Sequence, residues 1–357
     1  MAEDHDAPHA TNPTIYDVAR VSGVAPSTVS RTFSRPGRVN VETADRIRRV
    51  AAELGYRTKP VTRALSTART RLFAVIVPDV PDRFFREVIR GATEAANAAG
   101  YTVVVVDAQR SAESERAALD RLLPVVDGVI FAASLLPDAT IRVAAKQRPT
   151  VVLNRAMADV ASVLTDSADG MRQSVEHLAA LGHRELTYIA GPAASWADGI
   201  RWRSFKVATH RLGLRARRVG PTQPTPAGGV AAAQAFARQP TSGVIAFNDF
   251  IAAGFIRGLA EAGLRVPEDV SVVGFDNLAG RFGGPPLTTV AAPLPHLGSH
   301  AVRILLQQLS GAQAGLAEPG GTVRPTRLPA LLVVRTSTAA PTSRDSNAVP
   351  PAPDRAA

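Results

Sequence analysis

The sequence predicts a small all-α headpiece of helix-turn-helix type, followed by an α/β core of two doubly wound parallel-sheet subdomains. Three observations carry that expectation. Residues 14–71 hold 12 Lys/Arg against four Asp/Glu, a net of +8 out of +10 for the whole chain, in under a fifth of its length. Within that basic stretch, Thr14 to Arg31 (TIYDVARVSGVAPSTVSR) spaces its apolar residues for two short helices joined through Gly23. From Leu72 onward, continuous apolar runs alternate with amphipathic stretches, the pattern of parallel strands covered by helices on both faces.

The headpiece elements follow in order. Residues 1–13 read as disordered. Thr14 with Asp17 has the T-x-x-D form of a capping box, so a helix is expected from Ile15. Ile15, Val18, Ala19 and Ser22 share its inner face, and Gly23 stands where a sharp turn needs positive φ. A second helix, Pro26 to Phe33, returns Val29 onto Val18 and Ala19. In a helix-turn-helix this second helix is the one that enters the DNA major groove. Asn40 is an N-cap for a third helix, Val41 to Leu54, with Gly55 placed to end it. The concentration of positive charge on so compact a domain is the electrostatic footprint of phosphate binding. Arg57 to Arg71 is a basic linker in which Pro60 suits the start of a two-turn helix, Pro60 to Ser66. So short a helix is marginal in water and needs a partner surface to be ordered.

In the core, LFAVIV, YTVVVV, GVIFAA and TVVLN read as strands, with helices expected at Phe84–Ala99, Glu113–Leu123 and Asp138–Lys146. A second series adds helices Gly170–Leu181, Gly199–Leu212, Val230–Arg238 and Ile251–Ala262 around strands LTYIA, VIAF and VSVVGF. GPTQPTPAGG reads as a loop inside it, His296 to Leu309 as a helix and LPALLVV as a final strand. Two such series imply a ligand cleft between the subdomains. The tail from Thr338, rich in Pro, Ala, Ser and Asp, reads as disordered.

Composition excludes several classes. There is no Cys, which removes disulfides, thiol catalysis and Cys-based zinc sites together. The polar, acidic start is unlike a signal peptide, and no run of 18 apolar residues occurs, so a cytoplasmic protein without a membrane span is expected. No metal site or cofactor is expected: His177, His183 and His210 have no metal-like spacing, and His183 reads as a structural residue at a helix-to-strand turn. No G-x-G-x-x-G, Walker A or G-x-S-x-G motif stands at a strand end, which argues against an enzyme.

The segments IYDVARVSGV with TVSR, ETADRIRRVAAELGY, ALSTARTRLFAVIVPD, LGHRELTYIAGP, AFND, GLRVPEDVSVVGFDN, PPLTTV and LPALLVVRTST occur in that order. With them the chain resembles the lactose/galactose-repressor (LacI/GalR) family of bacterial transcription regulators, from about Thr14 to Thr338. The resemblance implies a core like type I periplasmic sugar-binding proteins and a homodimer, or a higher oligomer, on a pseudo-palindromic double-stranded operator. It implies domains at 14–57 (headpiece), 58–71 (hinge helix) and 72–337 (effector-binding and dimerisation core). Within the core, one subdomain takes about 72–164 plus 292–322 and the other about 165–291 plus 323–337.

Residue by residue, the resemblance makes Leu65 the wedge that enters the minor groove at the operator centre, with Thr62 beside it. Thr14, Tyr16, Thr28, Ser30 and Asn40 are further candidates for DNA contact. The family's recognition-helix cap, usually Ser, is Ala25 here, and Pro26 and Ser27 occupy the positions that usually read bases. Pro26 has no side-chain donor or acceptor, so base reading falls on Ser27 and on Arg31, a guanine reader by its guanidinium fork. In the core, Arg201, Asn248 and Asp276 align with effector-binding residues, and such a fork, amide and carboxylate suit vicinal hydroxyls or a small carboxylate. Phe84 and Phe85 follow the first strand, Trp196 precedes Arg201, and Asn154 and Asp166 sit at strand ends, completing the candidate effector contacts. The expected protein is a repressor governed by a small, sugar-like molecule. A solute-binding protein of a transport system is the alternative that the core alone would fit.

Overall fold

The computed structural model describes residues 13–34, 37–54, 56, 69–278, 284–311 and 323–342. The expected Pro60–Ser66 helix with Thr62 and Leu65, the helix-ending Gly55, residues 1–12 and the chain beyond 342 lie outside the described residues. The chain divides into two compact units, Met1–Thr70 and Arg71–Ala357.

The first unit holds α1 (Ile15–Ser22), α2 (Pro26–Ser34) and α3 (Val41–Glu53). Gly23 adopts φ 66° and closes α1 as its left-handed cap, the conformation that glycine enters without a Cβ penalty. Val18, Ala19, Val29, Ile47 and Ala51 form the buried centre, one face from each helix. Asn40 caps α3, its side chain accepting the Glu42 N–H at 2.9 Å.

The second unit begins with β1 (Leu72–Val77), α4 (Arg83–Ala98), β2 (Thr102–Asp107), α5 (Ala112–Leu122), β3 (Gly128–Ala132), α6 (Asp138–Ala145), β4 (Thr150–Leu153) and β5 (Ala161–Thr165). It continues with α7 (Ser167–Ala180), β6 (Glu185–Ile189), α8 (Trp196–Arg211), β7 (Arg215–Val219), α9 (Pro226–Phe236), β8 (Gly243–Ala246), α10 (Asp249–Glu261), β9 (Ser271–Phe275) and β10 (Thr288–Ala291). α11 (Leu294–Leu309), β11 (Thr326–Leu328) and β12 (Leu331–Val333) close the order. The strands form two sheets, ordered β11-β5-β4-β3-β1-β2 and β12-β10-β9-β8-β6-β7. All pairings are parallel except β10 with β12, which is antiparallel. The central strands are buried along their length apart from Leu72 at the start of β1, which is why they read as unbroken apolar runs.

The same packing device serves both lobes. In the first, Gly91 of α4 faces the Pro295 carbonyl of α11 and Gly298 of α11 faces the Val88 carbonyl of α4, each so closely that a Cβ would overlap the oxygen. In the second, Gly229 of α9 and Gly254 of α10 face the carbonyls of Ile251 and Pro226 in the same reciprocal way. Missing side chains thus let helix backbones touch, and the helices lie close over their sheets.

Several expectations are corrected. LPALLVV is not one strand: Leu328 ends β11 in the first sheet and Leu331 opens β12 in the second. Pro329 between them has no N–H to continue a ladder, and the chain changes sheets there. The stretch from 323 therefore does not belong wholly to the second lobe, since Thr326–Leu328 pairs with β5. β5, β7 and β10 escaped prediction; β7 reads RARRV, an edge strand whose arginines obscure the alternation. Pro226 to Gly229, read as loop, is the first turn of α9, capped by the Thr225 hydroxyl accepting from Gly228 N–H at 3.1 Å.

The tail is also ordered further than its composition suggests. Thr338 Oγ1 lies 2.9 Å from His177 Nε2, Ala339 N–H donates to Ser271 Oγ at 3.0 Å, and Thr342 Oγ1 donates to the Glu268 carbonyl at 3.1 Å. His183 sits between Ser242 Oγ (2.7 Å) and Ser271 Oγ (3.1 Å) and also meets the Ala339 carbonyl at 3.1 Å. It is a structural residue joining strand ends to the tail, and burial lowers its pKa, keeping the ring neutral.

Candidate functional site

In the headpiece unit, Asp17 accepts the Thr14 N–H at 2.9 Å and the Thr14 hydroxyl at 2.7 Å, and pairs with Arg20 at 3.1 Å. Those hydrogen bonds hold its pKa down to about 2 and fix the start of α1. Thr14 is thereby engaged in capping, while Tyr16 next to it is 71% exposed. α2 opens with the Ala25 carbonyl accepting from Thr28 and Val29, and with Pro26 as its first residue. Val29 turns inward; Ser27, Ser30 and Arg31 are exposed, and Pro26 and Thr28 half-buried. Among the described residues Arg31 makes no hydrogen bond or ion pair, so its fork is uncommitted. Asn40 is exposed, with its oxygen spent on the α3 cap.

In the second unit a cavity of about 650 Å³ opens between the carboxyl ends of the two sheets, where doubly wound folds bind ligands. Three helices begin at it. Asp82 caps α4 by accepting the Phe84 N–H at 2.9 Å, Ser195 caps α8 from Asp198 N–H at 3.2 Å, and Asn248 caps α10 from Ile251 N–H at 3.0 Å. These caps position Phe84 and Phe85, then Trp196 and Arg201, then Asn248 itself on the cavity wall. Phe85 is buried in the first lobe's core and Phe84 stands edge-on to it, ring centroids 5.0 Å apart. Asn154, at φ 55°, bridges β4 to β5 by accepting the Thr165 N–H at 2.9 Å.

The polar floor is Arg201. Its guanidinium lies 3.5 Å from the Phe275 ring centroid, donates to the Phe247 carbonyl and reaches Asp276 Oδ1 at 3.2 Å. Both partners are at most 6% exposed at the side chain, and among the described residues Arg201 Nε has no hydrogen-bond partner. Burial pushes the Asp276 carboxyl up from its usual range, against the pull of Arg201. Asp276 holds φ 97°, a conformation that non-glycine residues avoid and that clusters at functional sites. Asp249 braces that turn: it accepts the Leu278 N–H at 2.7 Å and the Thr289 hydroxyl at 2.6 Å. Burial, with Asp276 adding to it, raises Asp249 to about 7 in spite of those bonds.

Asp198 locks the start of α8 through Tyr188 Oη (2.8 Å), Gly191 N–H (2.7 Å) and Arg218 (2.8 Å). Asp166 caps α7 by accepting the Asp169 N–H at 3.2 Å and lines a groove with Arg203 and Arg211 rather than the wall of the 650 Å³ cavity. Sequence reasoning missed Asp82, Arg110, Arg155, Leu135 and Phe247, all on the cavity wall. Asp82 was legible as an N-cap ahead of Phe84; Arg110 and Arg155 sit in turns with no motif to mark them. Among the described residues no cluster of His, Cys, Asp and Glu could hold a metal ion, and no helix is long and apolar enough to cross a membrane.

A basic helix-turn-helix and a two-lobed binding core on one chain define a DNA-binding regulator with a ligand cleft. The model of bacterial regulatory proteins of the lacI family matches residues 14–59, and that of a periplasmic binding protein-like domain matches residues 175–338. The chain is 32% identical to the HTH-type transcriptional repressor CytR of Escherichia coli K12 over 314 residues, covering 85% of this chain and 92% of that one. It is 30% identical to the transcriptional repressor PurR of Actinobacillus pleuropneumoniae, covering 83% of this chain and 91% of that one. The structure of the Lac repressor dimer bound to operator and an anti-inducer is similar at a TM-score of 0.67 and 29% identity, over 92% of this chain and all of that one. A ribose-bound LacI-family regulator from Enterococcus faecium is similar at a TM-score of 0.65 and 28% identity, over 76% of this chain. The chain belongs to the LacI family of DNA-binding transcription regulators.

Proposed function

We propose that the protein is a repressor that binds a pseudo-palindromic operator as a dimer and responds to a small polyhydroxylated molecule held in the cleft. The observation that carries this reading is the Arg201–Asp276 pair with Asn248 beside it: a dry fork, carboxylate and amide converging on one cavity. The Asn248 oxygen is committed to the α10 cap, which leaves its NH2 as the free donor. Phe84 and Trp196 supply flat faces for a sugar ring, and Asn154 an amide from the opposite lobe.

In the headpiece, Arg31 reads a guanine and Ser27 a neighbouring base edge, while Tyr16, Ser30 and Thr28 set the helix against phosphates. The Pro60–Ser66 segment forms a helix beside its twin in the dimer and Leu65 enters the minor groove. Ligand binding changes the angle between lobes and so the spacing of the two hinge segments. Because a two-turn helix is marginal alone, a differential affinity of about 1–3 kcal/mol is enough to change occupancy of DNA substantially. The protein works in the bacterial cytoplasm on chromosomal DNA.

The test is to select DNA from a random duplex pool with the full-length protein, then screen sugars, polyols and purines for release of the selected site. Arg201→Ala is expected to retain DNA affinity within a few-fold and lose the ligand response. A variant that still responds would remove Arg201 from the effector site.

A further inference from the structure

Positive charge is concentrated at a second place in the chain. Residues 199–218 hold seven Lys/Arg and no Asp or Glu, beside the 12 and four of residues 14–71. That leaves 22 of the 41 Lys/Arg and 27 of the 31 Asp/Glu for all other residues, a net of −5. The second basic stretch forms most of α8 and all of β7, the strand at the edge of the second sheet. Arg201, Phe205, Ala208 and Thr209 of α8 are buried, while Arg203, Lys206, Val207, His210 and Arg211 are exposed. On β7, Arg215 and Arg218 are exposed.

On four other helices an outward arginine finds a carboxylate three or four residues away. Arg90 of α4 pairs with Glu87 and Glu94, Arg116 of α5 with Asp120, Arg172 of α7 with Asp169 and Glu176, and Arg257 of α10 with Glu261. The outward face of α8 has no carboxylate. Arg217 is taken by Glu185 and Gln239, Arg218 by Asp198, and Lys206 lies 5.3 Å from the Trp202 ring centroid. Arg203, Arg211 and Arg215 are left with no hydrogen bond or ion pair among the described residues. Arg203 and Arg211 stand about 12 Å apart along the helix, on a groove of about 400 Å³ shared with α7. The carboxylates of that groove are engaged, Asp166 in the α7 cap and Asp169 with Arg172.

Arginines on an edge strand discourage pairing with another sheet, which accounts for β7 but not for the helix. A protein partner needs an apolar centre with charge at its rim. Here Val207, 48% exposed, stands singly among the cations, and Leu212 lies beyond the end of α8. A row of unpaired guanidiniums without an apolar anchor is complementary to a regular polyanion. The span of about 12 Å covers about three phosphates of one DNA strand, at roughly 3.4 Å of axis each.

We infer that the outer face of α8, continued onto β7, is a second and sequence-independent contact for duplex DNA, in which Arg203, Arg211 and Arg215 donate to backbone phosphates. The headpiece then supplies only part of the hold on DNA, and the second lobe adds the rest. The inference is independent of the cleft and of any effector.

The test is anisotropy titration of the full-length protein with a duplex of arbitrary sequence over a range of KCl concentrations. The patch variant carries Arg203→Gln, Arg211→Gln and Arg215→Gln. A control with Arg121→Gln, Arg324→Gln and Arg327→Gln, all exposed and near α5 and β11, removes the same charge elsewhere. The patch variant is expected to lose roughly 10-fold or more in affinity and to flatten the slope of log K against log salt by about 2–3, the loss of three phosphate contacts. The control should stay within about two-fold of the unaltered protein. Capture of a second, fluorescent duplex on beads carrying the first, lost in the patch variant, makes the contacted DNA a separate duplex. Capture that is the same in both makes it the flank of the duplex the headpieces hold. Equal losses in patch variant and control, or an unchanged salt slope in the patch variant, overturn the inference. Poly-L-glutamate that binds as tightly per charge as DNA, and loses binding in the patch variant, overturns it in favour of an acidic protein partner.

Discussion

Arg31 is an exposed guanidinium with no partner among the described residues, on a helix whose neighbouring Pro26 offers no hydrogen bond. The proposed function therefore concentrates base discrimination in few side chains. Arg31→Ala is expected to cost about 1–3 kcal/mol against the preferred duplex and to relax preference at a single guanine. Competition with duplexes altered one base pair at a time checks this; a uniform loss across all of them would make Arg31 a phosphate contact. Asp249 gives a second prediction, of opposite character. Its carboxyl sits near pKa 7 in the folded protein against 3.8 ordinarily, so the folded state holds the proton more tightly. Protonated Asp249 therefore favours folding below about 7, and that contribution is lost as pH rises through about 7. Thermal unfolding between pH 5 and 8 should show a melting temperature that falls with pH, and Asp249→Asn should flatten the fall. An unchanged profile in the variant would mean the carboxyl is ionised throughout. Both residues stand in readable motifs, TVSR and AFND, but their states were not readable. Freedom from partners and burial are properties of the surroundings.

The helices carry the next level of organisation. Gly91 with Gly298, and Gly229 with Gly254, let α4 meet α11 and α9 meet α10 at backbone distance. Gly298→Ala, in a helix interior where alanine is intrinsically the better residue, should nevertheless destabilise the protein by about 1–3 kcal/mol through overpacking against Val88. Chemical denaturation checks it, and a neutral or stabilising result would show that α4 and α11 can separate at little cost. Helix existence was legible because buried and exposed residues alternate at helical spacing, as Phe85, Val88, Ala92 and Ala96 do along α4. The Pro226–Gly229 turn of α9 was not, because its glycines read as loop until Ile251 is seen packed against them. β7 was missed for a related reason: an edge strand carrying Arg215, Arg217 and Arg218 has no buried face to set a rhythm.

For the whole molecule, the proposed function makes affinity for DNA and control by ligand separate properties that the segment around Leu65 would join. Leu65→Ala is expected to weaken binding to the selected operator by at least 10-fold while leaving non-specific binding nearly unchanged at the same salt concentration. Equal losses in both would remove the wedge role from Leu65. The matched packing of the two lobes suits a core whose halves move as rigid bodies, since each has its own sheet and its own helix pair.

The linear order of residues was enough to give the headpiece and the two parallel sheets, because caps, turn glycines and apolar runs state themselves within a few residues. Arg201, Asn248 and Asp276 were singled out by family resemblance instead, and the fold brings all three to one cavity. Folding in space was needed to send Thr326–Leu328 to the first sheet and to anchor Thr338–Thr342 on His177, His183 and Ser271. It also brought Asp79, Asp82 and Arg110 together. Pairings between residues far apart in the chain depend on which surfaces meet once the sheets have formed, and no local pattern encodes that.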